Sequence, residues 1–215
     1  LPVPVSSPAL IAPKIIGFDP SQQAFLDSLL LDLDGTPNKR KLGGNAIVSV
    51  SIALCKAGAA SKGRPVYRHI SKLAGTTPRM PVPLSNLLNG GKHAGLKNDF
   101  QEHMIAPVKA NDFQDALETV VSIFHSLSNS LRKKGINPSL VADEGGFVFG
   151  KTPQDRLQML EKTCKEIGVE KNVSLALDCA ASEFYQKGNY LLGNAPAKKL
   201  SSKQLAIYYE SLVSK

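Results

Sequence analysis

Tryptophan is absent from the 215-residue chain, and aromatic residues make up only 6% of it. A surface that stacks nucleic-acid bases needs aromatic rings interleaved with cations, and the few rings here do not sit among the basic residues. Cysteine is scarce as well. Cys55, Cys164 and Cys179 stand far apart, with no CxxC pair and no histidine at a zinc-ligand spacing. That argues against a disulfide framework and a structural zinc site, and an odd number of thiols without a secretory signal fits a reducing cytosolic compartment. Cys55 and Cys164 fall on apolar helix stripes and are expected in the core. Long apolar runs are missing too: none approaches the roughly 20 residues a membrane span needs. The opening LPVPVSSPALIAP has neither the charged front nor the apolar centre of a signal peptide, and its prolines predict irregular chain.

What is present is ordinary for a globular protein, with 42% hydrophobic and 20% charged residues, enough for one large domain or two small ones. The formal net charge is +8 and the sequence pI about 9.4. The cations form separate short clusters, Lys39-Arg40-Lys41, Arg132-Lys133-Lys134 and Lys198-Lys199. The middle cluster falls at a predicted helix end, where cations suit the negative dipole terminus. Nucleic-acid binding is not indicated; a small anionic substrate is compatible with the charge.

Hydrophobic spacing predicts helices first. Ile47, Val50, Ser51, Leu54 and Ala57 or Gly58 form one stripe, and Tyr67, Ile70 and Leu73 another, between Pro65 and Gly75. The first 76 residues therefore read as irregular chain followed by helices. From there the texture changes. Val82 to Leu87 reads as a buried strand entering a glycine turn. FQEHMIAP (100–107) reads as a second, with Phe100, Glu102 and Met104 on one face and Gln101, His103 and Ile105 on the other. Phe113, Leu117, Val120, Phe124, Leu127 and Leu131 mark a long helix closed by Gly135. SLVA (139–142) suggests a short strand, and Leu157, Leu160, Cys164 and Ile167 a helix opened by Thr152-Pro153. NVSLALD (172–178) reads as a buried strand ending in Asp178, followed by a turn around Lys187-Gly188-Asn189. A last helix from about Ser201 turns Leu205, Tyr208, Tyr209 and Leu212 inward. Strands alternating with helices predict α/β layering from about residue 80.

Acidic residues recur at strand ends. Glu102 lies in a strand beside a glycine-rich loop, Asp143-Glu144 follow an apolar run and precede Gly145-Gly146, and Asp178 ends a strand. In parallel α/β folds chemistry gathers at the carboxyl ends of strands. Carboxylates crowded there bind a cation, accept hydrogen bonds or share protons. The plainer account is that such acids cap helices or satisfy loop amides, and that paired glycines serve turn geometry. His93, in NGGKHAGLK, reads by itself as an exposed loop residue, and His69, His103 and His125 carry no spacing signal.

Six blocks in order carry a more specific signal: LDGTPNKRKLGGNAI (33–47), CKAGAASKGRPVYRHI (55–70), PVPLSNLLNGGKHAG (81–95), QEHMIAP (101–107), ADEGGF (142–147) and LDCAASEFYQKGNYLL (177–192). Together they resemble the enolase family over nearly the whole chain. The resemblance implies an α/β fold: residues 1–76 as the helical end of an α+β capping domain, then 77–215 as the first part of a (β/α)8-type barrel, with a strand-strand-helix-helix start. It implies reversible dehydration of 2-phosphoglycerate to phosphoenolpyruvate with Mg²⁺, in a cytoplasmic glycolytic enzyme whose parent is a homodimer. Matched by motif, Glu144 would be the general acid and Glu102 its partner through a shared proton or water. Asp178 would be one Mg²⁺ ligand, and His93 would close over the substrate. Gly145 and Gly146 would let the chain turn sharply and hold a buried Glu144 inward.

The family's other two metal carboxylates, its proton-abstracting lysine and further substrate-binding residues belong to later strands that the resemblance does not find here. The expectation is thus a partial chain, inactive alone. A non-catalytic enolase-like binding or structural protein, and one half of a split enzyme, are the alternatives. Lys92, His103 and the polar run Leu96-Lys97-Asn98-Asp99 depart from the family pattern, as does FVFGKTP after DEGG.

Overall fold

A computed structural model describes residues 7–193 and 196–213, except for the side chains of Ser7, Pro8 and Asp143. It divides into two compact units, one ending at Arg79 and one beginning at Met80. The first is helical: α1 (Ser7–Ile15), α2 (Gln23–Asp34), α3 (Gly44–Ser61) and α4 (Val66–Ala74). The irregular start expected from its prolines is corrected from Ser7 onward, because Ile11 is drawn into a cluster with Leu30, Leu42 and Ile47; residues 1–6 lie outside the described part. The buried Asp34 carboxylate accepts hydrogen bonds from the Thr36 and Leu42 amides at 3.0 and 2.7 Å, closing the turn that follows α2.

Within α3, Gly58 allows close approach: a Cβ there would stand 2.6 Å from the Pro20 carbonyl oxygen. This helix is also long and apolar enough to cross a membrane by length and composition, with mean hydropathy 1.2 over 18 residues, which the search for continuous apolar runs overlooks. Cys55 on it is only half-buried. The inward face expected for α4 is overturned. Tyr67, Ile70 and Leu73 are exposed, and His69 is the residue buried.

The second unit holds a four-stranded sheet of β1 (Ser85–Asn89), β2 (Glu102–Ala106), β3 (Phe147–Val148) and β4 (Ser174–Asp178), in the order β3-β1-β2-β4. β1 and β2 are antiparallel, as are β2 and β4, whereas β1 and β3 are parallel. The β1–β2 connection contains no α-helix, so the chain returns alongside itself. Helices α5 (Phe113–Lys133) and α6 (Pro153–Glu166) pack on the sheet through Leu88, Ile105, Ile123, Leu127, Leu160 and their neighbours. Each such side chain contributes roughly 1.5–3 kcal/mol by leaving water. Both helices have firm starts. The Asp112 carboxylate accepts from the Asp115 amide at 2.9 Å, and Thr152 and Asp155 form a reciprocal capping box. The buried stripe of α5 runs through Ala116, Val120, Ile123, Leu127 and Leu131, and Phe113 and Leu117, expected on it, are exposed.

β1 starts later than its apolar letters suggest, because Pro81 and Pro83 cannot donate to a ladder; the strand runs on to the buried Asn89. SLVA does not form a strand. Only Val141 bridges, to Phe147, and Leu140 is 70% exposed. β4 is not buried either: it lies at the edge of the sheet and Leu175 is exposed. Beyond it, β5 (Tyr185–Gln186), β6 (Asn189–Leu192) and β7 (Lys198–Leu200) make a small antiparallel sheet. Helix α7 (Ser202–Val213) packs on it around Phe100, Phe184 and Leu205.

Leu127 is fully buried between α5 and the sheet, so Leu127→Ala is expected to cost about 3 kcal/mol of unfolding free energy. Urea denaturation followed by circular dichroism measures it, and a loss near zero contradicts this packing.

Candidate active site

The acids meet through strand register. In the β2–β4 pair Glu102 stands opposite Asp178 and His103 opposite Leu177, and directly opposed residues of an antiparallel pair project to the same face. His93 arrives from the loop after β1, in a single 3-10 turn, Lys92–Ala94. Gly90 and Gly91 let that loop lie against the chain entering β2: Cβ atoms there would come within 2.4 Å of the Phe100 carbonyl oxygen and 2.8 Å of the Asp99 carbonyl oxygen. His93 Nδ1 thereby sits 3.4 Å from Glu102 Oε1, both side chains mostly buried, but not aligned as a hydrogen bond.

The DEGG turn supplies Glu144. Gly145 N–H donates to Ala142 O at 3.1 Å and Ala142 N–H to Gly146 O at 2.9 Å. Glu144 has φ 64° and Gly145 φ 80°. A glutamate in this left-handed region costs about 1–2 kcal/mol, a strain of the kind that clusters at functional sites. The two glycines have different work. Gly145 supplies the second left-handed residue, while Gly146 has an ordinary φ but no space, a Cβ meeting Asn89 Nδ2 at 2.7 Å. Asn89 Nδ2 donates to Gly146 O at 3.2 Å, and Asn86 Nδ2 donates to Asn89 Oδ1 at 2.7 Å and Glu144 Oε2 at 3.3 Å. Glu144 is exposed, which corrects the expectation of a buried acid: the turn carries it to the rim beside Glu102.

Ligand atoms of His93, Glu102 and Glu144 all lie within 4.8 Å of one another. Asp178 lies outside that trio. It is exposed, and its Oδ1 accepts from the Ala180 amide at 2.8 Å. Burial, then the negative charges of Glu144 and Asp178, push the Glu102 carboxyl above its ordinary pKa, with His93 opposing. Crowding of this kind favours a bound cation or a retained proton. An apolar groove of about 570 Å³ lined by Leu157, Leu175, Leu177 and Leu212 lies beside β4 and involves none of these four residues.

Sequence reasoning missed Asn86 and Asn89, and it missed the polar group behind the acids. Arg156 is fully buried, ion-paired with Asp99 and hydrogen-bonded to His103. One signal was available. Beyond Pro153, the buried residues of α6 are Arg156, Met159, Leu160, Thr163 and Cys164, spaced i, i+3, i+4, i+7, i+8, so the arginine falls on the apolar stripe. Cys164 on that stripe is buried, its thiol pushed up to about 11 by burial.

Two outcomes follow from this geometry. Gly146→Ala is expected to destabilise the unit by roughly 1–3 kcal/mol through the clash with Asn89, read by denaturant titration; an unchanged midpoint contradicts the close approach. Because the folded Glu102 pKa is raised, folding takes up a proton there, and the ionised group destabilises the fold as pH rises above its unfolded pKa. Glu102→Gln should therefore raise the melting temperature at pH 7 and lose that advantage at a pH where both forms are neutral. A lower melting temperature at pH 7 contradicts the raised pKa.

Two family models match the chain: the N-terminal domain of enolase over residues 7–70, and the C-terminal TIM barrel domain of enolase over residues 77–215. The matched segments contain the glycine loop, the paired strands and the DEGG turn, in the order in which the fold brings them together. The chain belongs to the enolase family.

Proposed function

We propose that this chain carries the acid-bearing side of an enolase site, whose reaction is the reversible, Mg²⁺-dependent dehydration of 2-phosphoglycerate to phosphoenolpyruvate. The observation that supports it most is the convergence of His93, Glu102 and Glu144 from three separate segments, with Asp178 opposite Glu102. In this reading residues 1–76 belong to the capping domain, which carries much of a homodimer contact in the parent enzyme, and 77–215 begin the barrel.

Glu144, exposed at the rim with Oε2 accepting from Asn86, gives a proton to the departing hydroxyl, which leaves as water. Glu102, its carboxyl raised above the ordinary range first by burial and then by the charges of Glu144 and Asp178, assists Glu144 through a shared proton or a bound water. His93, set 3.4 Å from Glu102 in a loop that glycines let lie against the chain entering β2, closes over the substrate.

The carboxylates fit Mg²⁺ in kind, being hard oxygen donors crowded enough to attract a cation. Asp178 would hold the ion, with one carboxylate oxygen already engaged by the Ala180 amide. When bound, Mg²⁺ supplies Lewis-acid stabilisation of the negative charge that develops on the substrate carboxylate. One aspartate is fewer protein ligands than tight binding needs, and no lysine among these residues matches the family's proton-abstracting base. These 215 residues by themselves are therefore expected to show no dehydration of 2-phosphoglycerate with excess Mg²⁺. Absorbance of phosphoenolpyruvate tests this, and turnover well above background contradicts it.

A further inference from the structure

On the face of β2 away from Glu102, the structure holds a polar group that the dehydration chemistry does not use. Arg156 is 0% exposed. Its Nη2 pairs with the Asp99 carboxylate, its Nε donates to His103 Nε2 at 3.3 Å, and its Nη1 donates to Phe149 O at 3.2 Å. His103 Nδ1 lies 3.2 Å from Leu88 O. With Nε2 accepting from arginine, Nδ1 must carry the proton, so the ring is neutral; burial, then the arginine charge, holds its pKa down at about 3. Gly90 gives the guanidinium its space, since a Cβ there would come within 2.7 Å of Nη2.

These contacts fall on the same three segments that carry the acid site. Gly90 and Asp99 bracket the loop that presents His93. His103 follows Glu102, and strand alternation sends the two to opposite faces. Phe149 follows β3, the strand that begins directly after the turn presenting Glu144. A single planar fork thus holds the three segments whose side chains converge in front of it, and three fixed N–H directions are something a lysine cannot reproduce. Stability alone does not account for it, because a buried ion pair is commonly no better than well-packed apolar residues of the same volume.

We propose that Arg156 is a positioning residue for the acid site: through Asp99, His103 and Phe149 it locks the glycine loop, β2 and the end of β3, the strand that follows the DEGG turn, in the one arrangement that brings His93 against Glu102. The proposal rests on the reading of that cluster as the functional site, but its test does not use turnover.

The test is a nuclear Overhauser contact between the His93 ring protons and the Glu102 side chain in the isotopically labelled 215-residue chain. It is expected in the wild type. It should be lost in Arg156→Lys, which keeps the charge without the fork, and in Arg156→Met with Asp99→Asn, which removes the pair without changing net charge. Cooperative melting and the contacts of Leu127 should persist in both. A purely stabilising arginine would lower the melting temperature and leave the His93–Glu102 contact in place. Retention of that contact in either folded variant overturns the proposal, as does its absence in the wild type. Loss of the folded state in both variants overturns it too, since Arg156 would then be a determinant of folding. If the contact behaves as expected while no enolase activity is found in any longer protein containing the chain, the dehydration reading fails and the positioning role stands.

Discussion

Glu102 and Asp178 are held opposite each other by backbone hydrogen bonds between β2 and β4, with Glu144 brought up to Glu102 by a turn in which it takes a left-handed conformation. Left to themselves, three carboxylates would separate. Their repulsion is carried by the sheet, and it adds to burial, the larger cause, in raising the pKa of the least exposed member. Much of the second unit's local geometry serves this convergence: the glycines that let the His93 loop lie flat, the asparagines that pin the DEGG turn, and the bulge in β1 between Asn86 and Leu88.

A second polar layer lies behind the first. The sheet separates a wet cluster of acids from a dry cluster of arginine, aspartate and neutral histidine. The dry cluster satisfies its donors internally, as buried polar groups must. Its members include two of the departures from the family pattern, Asp99 and His103. Neither makes sense alone, because a lone buried aspartate or histidine is costly. With Arg156 between them they form one hydrogen-bonded unit.

Long-period features were legible in the sequence. Helices α5, α6 and α7, the turn near Gly188 and the α/β texture follow from apolar spacing and capping chemistry. The strand ends were harder. Prolines delayed β1, the apolar letters of β4 concealed an edge strand, and SLVA lacked a partner to pair with. Motif resemblance nominated Glu102, Glu144, Asp178 and His93, but no local pattern could reveal that Glu102 faces Asp178, since the register that pairs residues so distant in sequence is a property of the whole sheet. Glu144 at the rim and α4 with its apolar residues outward were likewise beyond local reading, because exposure depends on what packs nearby. Arg156 was overlooked for a different reason: an arginine in a helix is ordinarily solvated, and only the spacing of its neighbours argues otherwise.

The central claim is that Glu102, Glu144 and Asp178 border one shared site able to attract a divalent cation. Paramagnetic broadening by dilute Mn²⁺ tests it most directly, because even weak occupancy relaxes nearby nuclei. The account predicts that the side-chain carboxyl signals of these three residues broaden together and before those of other acids, Asp155 and Glu161 included. Broadening that reaches the three at unrelated Mn²⁺ concentrations, or falls first on surface acids elsewhere, would contradict it.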